Sequence, residues 1–387
     1  MRAYFAQEII AEQGPLEEAY LLEDGGVITG VVKELPYGVS VEVYEGCFLA
    51  PGLIDVHTHG ALGYETGFGE KEGLRKWSEF EMMHGVTGFL PTAASIPLER
   101  IRKAADDVRE LAAQPHTNIL GLHMEGPFFA PGEKIGAQNP KYIRKEFTPE
   151  YKEFLTAYRG VVKYIAVDPA LETAEEIVTF CAGQGILVSA AHSSIAYVDF
   201  LPKKNWGFSG ITHTFNGMNG LDHRLPGLAY AACMDRDLFA EIICDGHHVS
   251  YLMAKLFFQL KDRQKSVLIT DSLAATGMPR GMYTLGDIQV ELAADGKATK
   301  WDGGLAGSTI TLDQAVRNLV QILNLPLYEA ILMASTVPAR MLGMDRFKGC
   351  LGPGKDADFI VLNSDLNVIA TYIKGKNMFS KGPDQIN

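Results

Sequence analysis

The stretch LIDVHTH, from Leu53 to His59, reads as a short apolar strand ending in two histidines. Seven segments downstream repeat its form: VTGFLPT (Val86–Thr92), ILGLHMEG (Ile119–Gly126), VKYIAVD (Val162–Asp168), ILVSAAH (Ile186–His192), GITHTFN (Gly210–Asn216), AEIICDG (Ala240–Gly246) and VLITDS (Val267–Ser272). Most of the gaps between them hold a segment of helical period, such as EKEGLRKWSEFEMMH, PLERIRKAADDVRELAA and SYLMAKLFFQLK. The gap after the sixth strand carries the weakest helix signal. Eight strands alternating with helices favour an α/β fold with a closed parallel (β/α)8 barrel of the TIM type over an open sheet.

Outward from this core the texture changes. The first fifty residues are β-rich, with short apolar runs broken by Gly and Pro. Between Gly277 and Gly307 the alternation breaks, and YTLGDIQVELAADGKATKWDGG reads as a hairpin insertion ending in a Gly-rich loop. The last forty residues read as strands again. Residues 1–50 and 346–387 are therefore expected to pair into a small β-sandwich domain beside a barrel spanning 51–345, since chain termini commonly lie close together.

The 387 residues are 47% hydrophobic, enough for one large core and a smaller one. A net charge of -12 argues against nucleic acid as a partner but not against a small anionic substrate, which responds to local charge. The five cysteines contain no CxxC pair, which disfavours a disulfide framework or a thiolate zinc site and fits a reducing compartment. No signal peptide is legible, and no apolar run approaches membrane-spanning length, so no membrane partner and a cytoplasmic location are expected.

The polar residues inside these apolar strands carry the chemistry. His57, His59, Glu125, His192, His213, Asp245 and Asp271 all fall at or near expected strand C-terminal ends, the catalytic face of such a barrel. His57 and His59 are two apart on one strand, so their side chains share a face, about 6–7 Å apart at the backbone. A single strand-end histidine is ordinarily structural. Six groups (the seven without Asp245) at five strand ends of one barrel are not, because burying them without a metal would be costly. His123 shares a face with Glu125 and reads as a core or supporting residue, and His84 and His116 as structural.

PGLIDVHTHG resembles the opening metal strand of the amidohydrolase superfamily. GLHMEGPF, AAHSS, THTFNGMN, HRLPG, DGHHV, ITDS, LAGS and GKDAD resemble, in order, motifs of the N-acetylglucosamine-6-phosphate deacetylases, from about Pro51 to Asp358. The resemblance implies hydrolysis of N-acetylglucosamine 6-phosphate to glucosamine 6-phosphate and acetate. It makes Glu125, His192 and His213 the principal metal ligands and Asp271 the catalytic acid–base. The backbone at Asn216 and Gly217, with His248 and Arg224, would hold the sugar phosphate, the residue matching Arg224 coming from the partner subunit of a homodimer. Some members have Gln and Asn where this chain has His57 and His59. They carry one metal, and they have a loop histidine that polarises the acetyl carbonyl where this chain has Gln138. With both changes present, the chain resembles the two-metal subgroup, implying one or two divalent ions, zinc or iron before others. Ring-opening amidohydrolases usually bridge their metals with a modified lysine, and Glu125 stands in that role here. A deacetylase for the epimeric N-acetylgalactosamine 6-phosphate and a non-enzymatic scaffold on the same barrel are the alternatives, and the complete ligand set speaks against the scaffold.

Overall fold

In the computed structural model, which describes residues 1–68 and 70–382, eight parallel strands stand side by side in chain order: β1 (Leu53–Thr58), β2 (Val86–Ala93), β3 (Leu122–Glu125), β4 (Val162–Val167), β5 (Leu187–Ala190), β6 (Phe208–Ile211), β7 (Phe239–Ile243) and β8 (Ser266–Ile269). The last strand meets the first just beyond their ends. The Asp271 N–H donates to the His57 carbonyl at 2.8 Å, and the His59 N–H donates to the Ser272 carbonyl at 2.7 Å. Below these, the Thr270 hydroxyl donates to the Asp55 carboxylate at 2.6 Å. The barrel is thus closed at the C-terminal ends of its strands through the backbone of His57, His59 and Asp271.

Helices cover the outside for the reason their period gives. In Leu98–Ala112 the buried positions are Leu98, Ile101, Ala104, Ala105, Val108 and Leu111, one stripe at three- and four-residue spacing, with charged residues opposite. The connection after β6 holds only the seven-residue helix Leu228–Met234. Residues 212–227 ahead of it run as turns and loops instead.

Three strands stop earlier than their apolar runs imply. β5 ends at Ala190, β6 at Ile211 and β8 at Ile269, each two residues short of a chemical group. His192, His213 and Asp271 then adopt φ of 48°, 29° and 50°. A left-handed residue breaks the pleat and re-aims its side chain, at a cost of about 1–3 kcal/mol each. Neighbouring bonds hold these turns: Ser308 N–H donates to the Asp271 carbonyl at 2.7 Å, and Thr214 N–H to the Glu241 carbonyl at 2.8 Å.

The two chain ends form one seven-stranded sheet, in the order Lys376–Ser380, Val368–Ile373, Phe359–Leu362, Ser40–Pro51, Arg2–Ala11, Gly14–Asp24, Val27–Val32. The sandwich-like core arises because this single sheet coils on itself. Strands Arg2–Ala11 and Val368–Ile373 are three places apart, about 14 Å in a flat sheet. Yet the Tyr4 and Tyr372 rings lie 5.2 Å apart, with Phe359 stacked on Tyr372 at 4.3 Å. Ile9, Leu21, Leu49 and Val361 fill the same separate core. The insertion expected as a hairpin has a third strand: Gly281–Leu285, Ile288–Leu292 and Ala298–Lys300 form an antiparallel sheet at the mouth of the barrel. Among the described residues, no helix is long and apolar enough to cross a membrane.

Candidate metal centre and its cleft

Two groups of buried side chains converge where the barrel strands end: His57, His59 and Glu125, and Glu125, His192 and His213. Glu125 belongs to both. Its Oε1 lies 3.0 Å from Nε2 of His192 and 3.0 Å from Nε2 of His213, and those two nitrogens are 3.1 Å apart. Its Oε2 lies 3.2 Å from Nε2 of His59, which is 3.3 Å from Nε2 of His57. Asp271 Oδ1 faces the second group, 3.2 Å from His59 Nε2 and 3.5 Å from His57 Nε2.

The donor chemistry shows what fits between them. His192 Nδ1–H donates to the Lys134 carbonyl at 2.8 Å, His59 Nδ1–H to the Thr92 carbonyl at 3.1 Å, and His57 Nδ1–H to Glu241 at 3.0 Å. With Nδ1 holding the proton, each neutral ring turns an Nε2 lone pair inward, toward other lone pairs and carboxylate oxygens. Such an arrangement repels itself unless a cation lies at its centre. The spacing agrees: two tetrahedral ligands at about 2.0–2.1 Å from one ion stand roughly 3.3 Å apart. The electrostatics have the same sign. Burial opposes charge on His57, but Asp271 and Glu241 outweigh it and raise its pKa to about 9. Burial is likewise overcome at His59 by Asp271 and Glu125, which raise its pKa to about 10. Glu125, although buried, is held well below the usual carboxylate range by His192, His213 and His59. Between Glu125, His57 and His59 the pocket favours positive charge, which a divalent cation could supply.

Above this centre opens a cleft of about 880 Å³ counting its mouth, within the range of small-molecule sites. Gln138, Asn216, Gly217 and His248 line it together with His59, Glu125, His192, His213 and Asp271. Gln138 is buried, accepts from Ser95 N–H at 2.7 Å and donates to Glu125 Oε2 at 2.5 Å, leaving one amide N–H uncommitted. Gly217 has a φ of 60°, and a Cβ there would fall 2.7 Å from His192 Nδ1, so this turn needs glycine. Asp245, a strand-end candidate in the sequence, sits elsewhere. It accepts from His247 and His248 N–H, both at 2.8 Å, and binds His248 Nδ1 at 2.7 Å. Its work is to aim His248. Burial disfavours charge on His248, yet Asp245 wins and raises its pKa. Arg224 lies on an exposed loop and is absent from the cleft lining of its own chain.

Glu241 is the residue the sequence reading missed. From the middle of β7 its Oε2 accepts from His57 Nδ1–H and from the His213 N–H at 3.2 Å, while Tyr164 donates to its Oε1 at 2.8 Å. It fixes the ring of His57 and the backbone of His213. The signal was present: a carboxylate flanked by Ala240, Ile242 and Ile243 in a buried strand must have partners. His123 is a supporting residue, stacked on Tyr164 at 4.3 Å with Nδ1 3.2 Å from the Thr92 hydroxyl.

A (β/α)8 barrel that gathers four histidines and a shared glutamate at one rim, with an aspartate facing them from an open cleft, defines a metal-dependent hydrolase. The amidohydrolase family profile matches residues 48–378, and the chain belongs to the amidohydrolase family. Its relatives there are amino-sugar-phosphate deacetylases. It is 34% identical over 373 residues to the N-acetylgalactosamine-6-phosphate deacetylase of Escherichia coli O157:H7, covering 96% of this chain and 97% of that one. It is 35% identical over 336 residues to the N-acetylglucosamine-6-phosphate deacetylase of Vibrio furnissii, covering 86% and 83%. The crystal structure of N-acetylglucosamine-6-phosphate deacetylase from Pasteurella multocida matches with a TM-score of 0.92 at 30% identity, covering 97% and 99% of the two chains. That of the Mycobacterium smegmatis deacetylase in complex with N-acetyl-D-glucosamine-6-phosphate gives 0.92 at 27% identity, covering 98% and 99%.

Proposed function

We propose that the protein hydrolyses the acetamide of N-acetylglucosamine 6-phosphate, giving glucosamine 6-phosphate and acetate. One observation carries the reading: Asp271 faces a cluster in which Glu125 joins two sets of ligands, at the floor of a cleft open to a small molecule. Glu125, His192 and His213 would hold the principal divalent ion, and His57 and His59, with Glu125, a second, zinc or iron suiting this donor set. A divalent ion held there supplies Lewis acidity and acidifies a water to near neutrality. Asp271 takes the proton of the attacking water and returns it to the amide nitrogen, so that the amine leaves with the sugar. The uncommitted N–H of Gln138 and the imidazole of His248, both in the cleft lining, would meet the negative charge that develops on the acetyl oxygen or resides on the phosphate. The backbone at Asn216 and Gly217 forms the adjoining wall.

Similarity to the Escherichia coli relative favours a second reading, in which the C4 epimer, N-acetylgalactosamine 6-phosphate, is the substrate. Acetate release from both epimers, measured side by side on metal-loaded protein, tests both. We expect release from the gluco epimer with the higher kcat/KM. Release from the galacto epimer alone would replace the first reading with the second, and release from neither would remove both.

The exposed position of Arg224 supports a homodimer in which it serves the partner's cleft. Beside it Leu221 and Leu225 are exposed, Leu225 by 57%, and Tyr197 N–H donates to the Pro226 carbonyl at 2.7 Å, placing the exposed Val198 nearby. Apolar residues grouped on a surface mark an interface. Arg224→Ala should lower kcat/KM by about 10- to 150-fold, mostly through KM, the range for losing a hydrogen bond to a charged group. Co-expression of Arg224→Ala with Asp271→Asn at equal levels tests the sharing. Mixed dimers, about half the population, would hold one intact site, so roughly a quarter of wild-type activity should return. Activity no higher than the mean of the two parent variants would place Arg224 in its own subunit's site. A cytoplasmic setting fits the five unpaired cysteines.

A further inference from the structure

The phosphate of the proposed substrate carries a charge of about -1.5 to -2 near neutral pH and needs fixed positive charge around it. Among the described residues lining the cleft, one is a lysine or arginine: Lys300, at the end of the third strand of the insertion. Its side chain is 17% exposed, deep for a lysine. The ammonium donates to the Gly136 carbonyl at 3.0 Å and pairs with Asp302 at 3.2 Å. An ammonium has three N–H groups, so one is uncommitted. A Cβ placed on Gly304 would fall 3.0 Å from Lys300 Cε, so the loop after the strand packs on the lysine's stem.

The carbonyl that Lys300 holds locates it relative to the substrate. A Cβ on Gly136 would fall 3.3 Å from His192 Cε1. A Cβ on Gly217 would fall 3.0 Å from the Lys134 carbonyl and 2.7 Å from His192 Nδ1. The segment Lys134–Gly136 and the Asn216–Gly217 turn therefore meet over one histidine ring. Lys300 is tied to that segment, beside the turn assigned above to the sugar phosphate.

We propose that Lys300 is a specificity-determining residue: its remaining N–H binds an anionic oxygen of the sugar phosphate, giving each chain a cation of its own for that group. The substrate's name rests on the deacetylase reading. The anion recognition rests on the cleft. The test pairs two measurements on metal-loaded wild type, Lys300→Met and Lys300→Arg. The first is the ratio of kcat/KM for N-acetylglucosamine 6-phosphate to that for N-acetylglucosamine. Lys300→Met should lower this ratio by about 10- to 150-fold, the range for losing one hydrogen bond to a charged group, and Lys300→Arg should keep most of it. An equal loss for both sugars would show that the lysine only latches the Gly136 segment, and would overturn the proposal. The second is calorimetric titration with glucosamine 6-phosphate and with glucosamine. If wild type releases no acetate, the deacetylase reading fails, and the titration still decides the role of Lys300. Affinity for the sugar phosphate that Lys300→Met leaves unchanged, or that wild type lacks altogether, overturns it.

Discussion

Chelation, followed by transfer to metal-free buffer, should take acetate release down by about a thousandfold or more, and a divalent ion should bring it back. The size follows from what the ion contributes: several kcal/mol of transition-state stabilisation, at about 1.4 kcal/mol per tenfold in rate. No side chain here replaces it. Glu125 is committed on both oxygens to histidines and Gln138. Plasma emission analysis alongside the assay counts the ions. Replacing His57 and His59 together should lower the count towards that of one ligand set while Glu125, His192 and His213 keep theirs. Full activity in a preparation shown to be free of metal would remove the whole reading of the centre.

Asp271→Asn should lower kcat by about 10²–10⁴-fold, the usual worth of a positioned general acid–base. Asparagine keeps the shape of the side chain and cannot take a proton. The fall should come without loss of bound metal, since Asp271 belongs to neither three-residue ligand group. The backbone argues for the same outcome. Asp271 sits at a φ of 50°, a conformation that asparagine tolerates about as well as aspartate, so the turn that closes the barrel should survive. A variant that keeps more than half of the wild-type kcat would mean that another group moves the proton, and His248 would be the next to test.

The barrel and most of its rim were legible because their signals are local. Apolar strands ending in His57, His59, Glu125, His192, His213 and Asp271 announce buried charge at one face, and buried charge requires a partner. Asp245 carried the same local signal and does something else, because a strand-end aspartate is also a natural cap for the turn that follows. Glu241 lies in mid-strand, so its apolar neighbours mark it as a buried carboxylate that needs partners, but only the barrel's fold shows that His57 is one of them. Lys300 was out of reach. Nothing in the sequence around an inserted hairpin says which wall of a distant cleft it meets, and Gly136 is more than 160 positions away along the chain. The strand ends were set too late for a physical reason as well: the apolar runs continue past Ala190, Ile211 and Ile269, but left-handed turns cut the ladder there.

The sheet made by the chain's two ends has a consequence for synthesis. Strand Ser40–Pro51 pairs on one side with Arg2–Ala11, made just before it, and on the other with Phe359–Leu362, made about 300 residues later. At roughly 5–20 residues per second, its free side waits about 15–60 seconds on the ribosome. An unpaired strand edge is a template for pairing with other chains. In its last third, Phe48 to Pro51, that waiting edge is largely apolar, with Leu49 and Ala50 destined for full burial. Synthesis through Phe359–Leu362 must therefore precede completion of this part of the fold, and a nascent chain stalled within the barrel would carry an open edge for as long as it stalled.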